Sequence, residues 1–393
     1  MITARPRHSA LHAGRPGPRC AAGSHDRVLL VAERDSGFQR QYLRRFAAAL
    51  HRCDVITALT GDAAGPDGTE AAEAEAAVRY GDVLARARDA GAARVHVCFL
   101  ADPRPLVAAL DLERTDGPRV TASLFGLARC LRSPAHRRAA ARLLAQPAVE
   151  ALLVHSNDPR RCRADAHRLG LLASPKVRWL HDPVYDEPER YSLPRARARA
   201  ALGLDPRAFL ALALGRASRK KGFDLLLEAA RRLSDVPGIA VILAGDLSAA
   251  PPGLLPAGPP PPNVMLVDRF LDDDDMSRYV AASDLVVLPY RRDYRHDTSG
   301  VLVQACLAHR PVLVPDLEPF RDLVAERRLG GTFRCEDADA LARAIRRHAE
   351  VGPRPGGWAG YLAGIEGWDE IALRAGYPVS HQPRARGGPD ERR

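Results

Sequence analysis

Short, β-branched apolar runs alternate with longer stretches of helical period along this chain, and the alternation starts twice. The first series opens at Arg27–Ala32 (RVLLVA), which reads as a buried strand, followed by a turn at Ser36-Gly37 and a helix FQRQYLRRFAAAL. Strand-like runs recur at residues 95–100, 120–125, 150–155 and 177–180, with helical patterns between them. An arginine-rich stretch at 190–207 holds two prolines and no long apolar run, and reads as a junction. The rhythm then restarts with strands at 209–214, 239–245, 264–267, 284–289 and 311–315. Helices are predicted at 223–233, 273–282, 299–308, 318–327 and 337–349, and a Pro/Gly loop at 251–262. Strand–helix alternation of this kind needs long crossovers, which a parallel sheet accommodates. The expected fold is therefore α/β, with two consecutive Rossmann-like, doubly wound domains.

The division expected is a tail over 1–25, an N-terminal unit over 26–190 and a C-terminal unit over 191–352. A helical stretch over 353–377 carries Trp358, Trp368 and Tyr377, and an Arg/Gly/Pro-rich tail covers 378–393. Both tails are predicted to be disordered: the first has no acidic residue, many Pro and Gly, and no apolar core of a secretory signal.

Charge narrows the possible partners less than its sum suggests. Lys+Arg number 58 against 48 Asp+Glu, yet the only lysines are Lys176, Lys220 and Lys221. Arginine is thus a generic surface residue here, and the basic balance argues for no nucleic-acid partner. An Arg-rich face of the N-terminal unit leaves peripheral contact with an anionic membrane open. The seven cysteines are scattered, with no zinc spacing, which fits a reduced cytoplasm. Asp272–Asp275 directly precede a helical pattern and read as capping residues that complement its dipole, so no metal site is assigned. No GxGxxG follows a strand, and GxxxxGK[ST], GxSxG and HExxH are absent, which removes the main support for an oxidoreductase, P-loop kinase, serine hydrolase or zinc protease.

Two strand-to-helix turns of the second series are suited to anions. Gly215-Arg216-Ala217-Ser218-Arg219-Lys220-Lys221-Gly222 concentrates cations between two glycines, where a phosphate-bearing ligand is the natural counterpart. His296-Asp297-Thr298-Ser299-Gly300 places a capping Ser and free N–H groups at a helix start, with Gly allowing close approach. Two such turns on neighbouring strands would suit a diphosphate.

In order and spacing, LGRASRKKGFDLLLEAARRL (214–233), VILAGD (241–246), DMSRYVAASDLVVLPY (275–290) and TSGVLVQACLAHRPVLVPDLEPFRDLV (298–324) resemble the family 4 retaining glycosyltransferases of the two-domain GT-B fold. The resemblance is close over 208–350 and loose over the N-terminal half. It implies two domains facing across a cleft, the N-terminal one for the acceptor and the C-terminal one for the donor, with WDEIALRAGY (368–377) crossing back to the first. It implies transfer of a hexose-like sugar, with retention and without a metal or other cofactor, from a nucleotide diphosphate sugar to an acceptor hydroxyl. The acceptor would be a sugar, a lipid-linked sugar or a small molecule, in polysaccharide or glycoconjugate synthesis. Arg216 and Lys221 fall on the family's diphosphate-binding pair, Ser299 and Gly300 on its helix-start turn, and Ser36-Gly37 on a reduced glycine loop near the donor phosphates. Asp297, Thr298 and Gln304 would meet the donor sugar or nucleotide.

The sequence departs from the pattern at the family's two glutamates, eight residues apart, which fall on His296 and Gln304. Phe125 stands where an N-domain histidine is expected, while His155 and His181 lie at other strand ends and read as structural or lining residues. Asp297 and His181 are the only catalytic candidates. These losses motivate an alternative, a degenerate GT-B module that binds a sugar nucleotide or a partner glycosyltransferase without turnover. A sugar-nucleotide epimerase fits less well, since its carboxylate and histidine set is not recognisable.

Overall fold

A computed structural model describes residues 26–33, 37–59, 70–112, 117–255, 258–352 and 356–379. The tail 1–25, nearly all of 378–393 and Ser36 lie outside the described residues. The first sheet comprises β1 (Arg27–Ala32), β2 (Asp54–Leu59), β3 (Arg94–Leu100), β4 (Arg119–Leu124), β5 (Val149–Ser156) and β6 (Val177–His181), in the order β2-β1-β3-β4-β5-β6. The second comprises β7 (Phe209–Leu214), β8 (Ile239–Gly245), β9 (Val264–Asp268), β10 (Leu285–Val287), β11 (Val312–Pro315) and β12 (Gly330–Phe333), in the order β12-β11-β10-β7-β8-β9. Every ladder is parallel, and helices cover both faces. The α/β, two-sheet expectation is met.

Winding direction decides where a ligand can sit. From β7 the chain steps through β8 to β9, then returns to the other side of β7 to lay down β10, β11 and β12. The loops leaving β7 and β10 therefore diverge and open a crevice at the carboxyl ends, and these loops are the two anion-suited turns. In the first sheet the same switch falls between β1 and β3.

Two strands, β2 and β12, have no counterpart among the predicted runs. Both are edge strands: Asp54–Leu59 is half exposed, and Gly330–Phe333 opens on two glycines, so neither has a long buried apolar run. Asp272 accepts a hydrogen bond from the Asp275 amide and caps the helix Asp273–Ala282, as expected from the acidic run.

The arginine-rich junction is bound tightly to the second sheet. Arg199, on the helix Arg195–Ala201, is 3% exposed and pairs with Asp284 at 2.5 Å. It also donates to the carbonyls of Ala282, Pro206 and Ala208 at 2.9 Å each. Asp284 in turn accepts from the Leu210 amide at 2.8 Å, so the buried charge pair has its remaining bonds filled.

The core of the first unit carries an unusual buried polar chain. Tyr377 bonds Thr121 (2.8 Å), Thr121 bonds His96 Nδ1 (2.7 Å), and Ser123 reaches His96 and His155 at 3.3 Å each and Tyr42 at 2.6 Å. His155 Nδ1 donates to the His181 carbonyl at 3.0 Å. Phe125, at the position of the missing histidine, stacks on His155 and on Phe99. The helix Trp368–Arg374 and Tyr377 pack over this face, with Ile371 in one buried cluster with Val28, Leu30 and Tyr42.

Burial pushes His96 down to about 3, helped by His155, and pushes His155 down to about 4. Both are neutral in the fold but protonate near 6.5 in the unfolded chain, so stability is complete above that value and falls as pH drops towards 4. Each histidine should contribute a slope of about 1.4 kcal/mol per pH unit in this window. Urea unfolding between pH 7 and 4.5 measures it: His96→Asn should show a shallower loss than the wild type, and parallel losses would contradict the reading.

Candidate functional site

The turn after β7 is shaped by backbone that only glycine accepts. Gly215 has φ +116°, and the Lys221 ammonium lies 2.6 Å from where a Cβ on it would stand. Gly222 has φ +65°, and its Cβ would lie 1.9 Å from the Pro289 carbonyl oxygen of the neighbouring turn. Between them a 3-10 turn, Arg219–Lys221, leads into the helix Phe223–Arg231. The two turns are tied directly, because the Arg291 amide donates to the Lys220 carbonyl at 2.9 Å.

The cations of this turn have different fates. Arg216 is 65% exposed and lies 3.6 Å from Asp246. Lys220 lies over the Tyr294 ring and pairs with Asp297 at 2.5 Å. Lys221 has no carboxylate or hydrogen-bond acceptor among the described residues. Burial, with the charge of Lys220, pushes its ammonium down to about 8. A half-buried cation with no counter-ion among the described residues carries a desolvation cost that a bound anion would relieve.

The second turn is closed by the first unit. Ser299 caps the helix Gly300–Leu307 through the Leu302 amide, and its hydroxyl bonds Tyr290 at 2.7 Å. The Ser299 amide donates to Asn157 Oδ1 at 2.7 Å, while Asn157 Nδ2 donates to the Ser299 carbonyl at 3.2 Å. Gly300 faces Phe38, whose ring would lie 2.9 Å from an added Cβ. The helix-start amide that sequence marks as free is therefore held by a side chain in this conformation. The Thr298 carbonyl accepts from Tyr294 at 2.7 Å. Gly37 begins the helix that carries Phe38.

Both positions that replace the paired glutamates also reach the first unit. His296 has φ +66°, and its ring lies 3.7 Å from Cys162 Sγ and 3.5 Å from Asp165. Burial and Arg295 push it down to about 4. Gln304 is buried and donates to Asp186 at 3.0 Å. Asp186 also accepts from Gln41 (3.1 Å) and Tyr191 (2.7 Å), while the Oε1 atoms of Gln41 and Gln304 are buried without a partner. His181 is bound through its ring and its amide to Glu366, at 3.0 and 2.9 Å, in the segment that leads back to the first unit. Burial would raise Glu366, but these two bonds hold its carboxyl below the usual range.

Arg216, Lys220, Lys221, Asp297, Thr298, Ser299 and Gly300 thus gather at one crevice, while Gln304 and His181 are engaged in contacts that join parts of the chain. Asn157, Phe38 and Asp186 were not singled out in the sequence. A signal existed for the first: Ser156-Asn157-Asp158-Pro159 is a strand-to-helix turn at the carboxyl end of β5.

Residues 208–350 match the family described as glycosyl transferases group 1. D-inositol 3-phosphate glycosyltransferase of Mycobacterium sp. (strain KMS) is 37% identical over 168 residues, covering 40% of this chain and 36% of the relative. The protein of the same name from Streptomyces avermitilis is 29% identical over 211 residues, covering 50% of this chain and 45% of the relative. The chain thus spans less than half the length of these relatives. Among solved structures, sucrose-phosphate synthase from Thermosynechococcus elongatus superposes with a TM-score of 0.64 at 17% identity, over 90% of this chain and 98% of that one. Anabaena Alr3699/HepE in complex with UDP-glucose gives 0.61 at 17% identity, over 89% and 95%. The fold is the GT-B arrangement of two Rossmann-like domains.

The glycine contacts carry a stability consequence. Gly222→Ala places a side chain in left-handed backbone and against a carbonyl, and should cost about 2–3 kcal/mol of unfolding free energy. Gly238→Ala, at φ +80° in open space, should cost only about 1 kcal/mol. Denaturant unfolding of both variants checks this ranking, and equal losses would contradict the tight Gly222–Pro289 approach.

Proposed function

We propose that the protein is a glycosyltransferase that takes a sugar from a nucleotide diphosphate donor, with retention and without a metal, and passes it to an acceptor hydroxyl. The observation that carries this reading is Lys221, a cation without a counter-ion at the switch point of the sheet whose residues match glycosyl transferases group 1. As the bond from the sugar carbon to the diphosphate breaks, negative charge grows on the departing oxygen. Lys221 is placed to neutralise it, with Arg216 at the rim, and fixed charge of this kind is commonly a large catalytic contribution. The acceptor would bind at the carboxyl ends of the first sheet, facing the same crevice.

UDP-glucose in the Alr3699/HepE structure makes a uridine diphosphate sugar the first donor to try. The name of the mycobacterial and streptomycete relatives makes a phosphorylated polyol or sugar the first acceptor. Reception of the diphosphate at the Ser299–Gly300 amides requires Asn157 and Phe38 to withdraw, so donor entry is coupled to movement of the first unit. No described helix is long and apolar enough to cross a membrane, and a peripheral contact belongs to this proposal only as a route to a lipid-linked acceptor.

A second reading, donor binding without turnover, is favoured by His296 and Gln304, which stand in place of two carboxylates and are occupied by contacts with the first unit. The two readings separate in one assay. Nucleoside diphosphate release and product mass are followed with a panel of donors and acceptors. Transfer is expected, with kcat/KM reduced at least ~100-fold in Lys221→Ala and less than ~10-fold in the exposed Arg216→Ala. Binding of donor without release or transfer would favour the second reading, and unchanged turnover in Lys221→Ala would refute the first.

A further inference from the structure

A cavity of about 490 Å³ opens at the opposite end of the second sheet from the donor crevice. It lies at the amino ends of β11 and β12, where Pro311 and Gly330 enter their strands, between the helices Phe320–Arg327 and Ala338–Val351. Its size falls within the range of about 300–1,000 Å³ usual for small-molecule sites. Neither turn described above contributes a residue to it.

The lining separates by chemistry. Pro311, Val351 and Trp358 give the cavity its accessible apolar surface, over Leu313, Val324 and Leu329, which are fully buried beneath it where the cores of the two sheet faces meet at the edge. Arg328 and Arg347 stand exposed at the mouth, and neither is in an ion pair among the described residues. Among the described residues no acidic one lines the cavity, although this surface is otherwise dense in Arg–carboxylate pairs such as Arg321–Asp322 and Arg346–Glu350. Trp358 forms one wall; its indole N–H is buried without an acceptor, and its ring is fixed by stacking on His309 at 5.7 Å.

The apolar wall disfavours a bare inorganic anion as the best-fitting occupant, and two guanidinium groups at the mouth, unpaired among the described residues, disfavour a neutral one. Guanidinium forks match phosphate and carboxylate oxygens. We propose that this cavity binds an amphiphilic anion, a phosphate head held by Arg328 and Arg347 with its apolar chain against Pro311, Val351 and Trp358. The head is drawn either from a soluble organic phosphate or from a membrane lipid. The site is independent of the donor turn and of the activity proposed for it.

Calorimetry with hexyl phosphate, inorganic phosphate and 1-hexanol tests the assignment on the full chain. Arg328→Asn/Arg347→Gln is the site variant, since both side chains are exposed and Asn tolerates the left-handed backbone of Arg328. An unchanged urea midpoint shows that this variant folds, and Lys221→Ala controls for phosphate bound at the donor turn. Hexyl phosphate is expected to bind at least tenfold more tightly than either partial ligand. That binding should fall at least tenfold in the double variant and persist in Lys221→Ala. Binding lost in Lys221→Ala but kept in the double variant would overturn the proposal, as would inorganic phosphate binding equally well. Vesicles of phosphatidylcholine with and without phosphatidic acid separate the sources. Adsorption that needs phosphatidic acid and both arginines supports a lipid head, whether or not hexyl phosphate binds. Hexyl phosphate binding without adsorption supports a soluble ligand, and failure of both overturns the site.

Discussion

A lysine ammonium set beside a glycine, with no counter-ion, is the constraint on which the functional account depends. An unpaired charge away from bulk water is costly, and most cations of this fold for which a partner is found are set against a carboxylate or a carbonyl. The neighbouring Lys220 shows the contrast, since it is paired with Asp297 and rests on Tyr294. The fold holds Lys221 in place through backbone geometry. Gly215 leaves room for the ammonium, and Gly222 lets the turn pass against the Pro289 carbonyl. A larger residue at either point would move the charge.

Around that cation the two units are joined by contacts that also cover the proposed donor surface. Asn157 reads the Ser299 backbone through its N–H and its C=O, and Phe38 covers Gly300. His296 reaches Cys162 and Asp165, and Gln304 reaches Asp186, which Gln41 of the first unit also contacts. The conformation described is therefore a closed one, in which the first unit supplies to the helix start what an anionic ligand would supply. At the donor site proposed above, closure of this kind and ligand binding would compete for the same amide at Ser299.

The architecture was legible because buried parallel strands are written as continuous apolar runs, such as RVLLVA and FLALAL. The edge strands β2 and β12 were not, because half-exposed or glycine-opened segments lack that run. Arg199 escaped notice for a related reason: in a chain that uses arginine almost everywhere, one buried guanidinium paired with Asp284 looks like all the others. Lys220 and Lys221 were visible against the same background, since lysine is rare here. Their division of labour was not visible, because it depends on which ammonium meets Asp297 across the crevice. Contacts between units, such as Asn157 with Ser299, join residues far apart in the chain, and no local pattern announces them. The same holds for the roles of His181 and Gln304, whose partners Glu366 and Asp186 lie in other elements.

With only three lysines, the chain allows the central claim to be measured at one atom. Lysine-selective NMR, assigned with Lys176→Arg and Lys220→Arg, follows the titration of Lys221 without and with UDP. The account predicts that Lys221 titrates near 8 in the free protein and rises towards the ordinary lysine value once the diphosphate is bound, with Lys176 unmoved. A Lys221 signal that titrates as an ordinary exposed lysine and ignores UDP would contradict it.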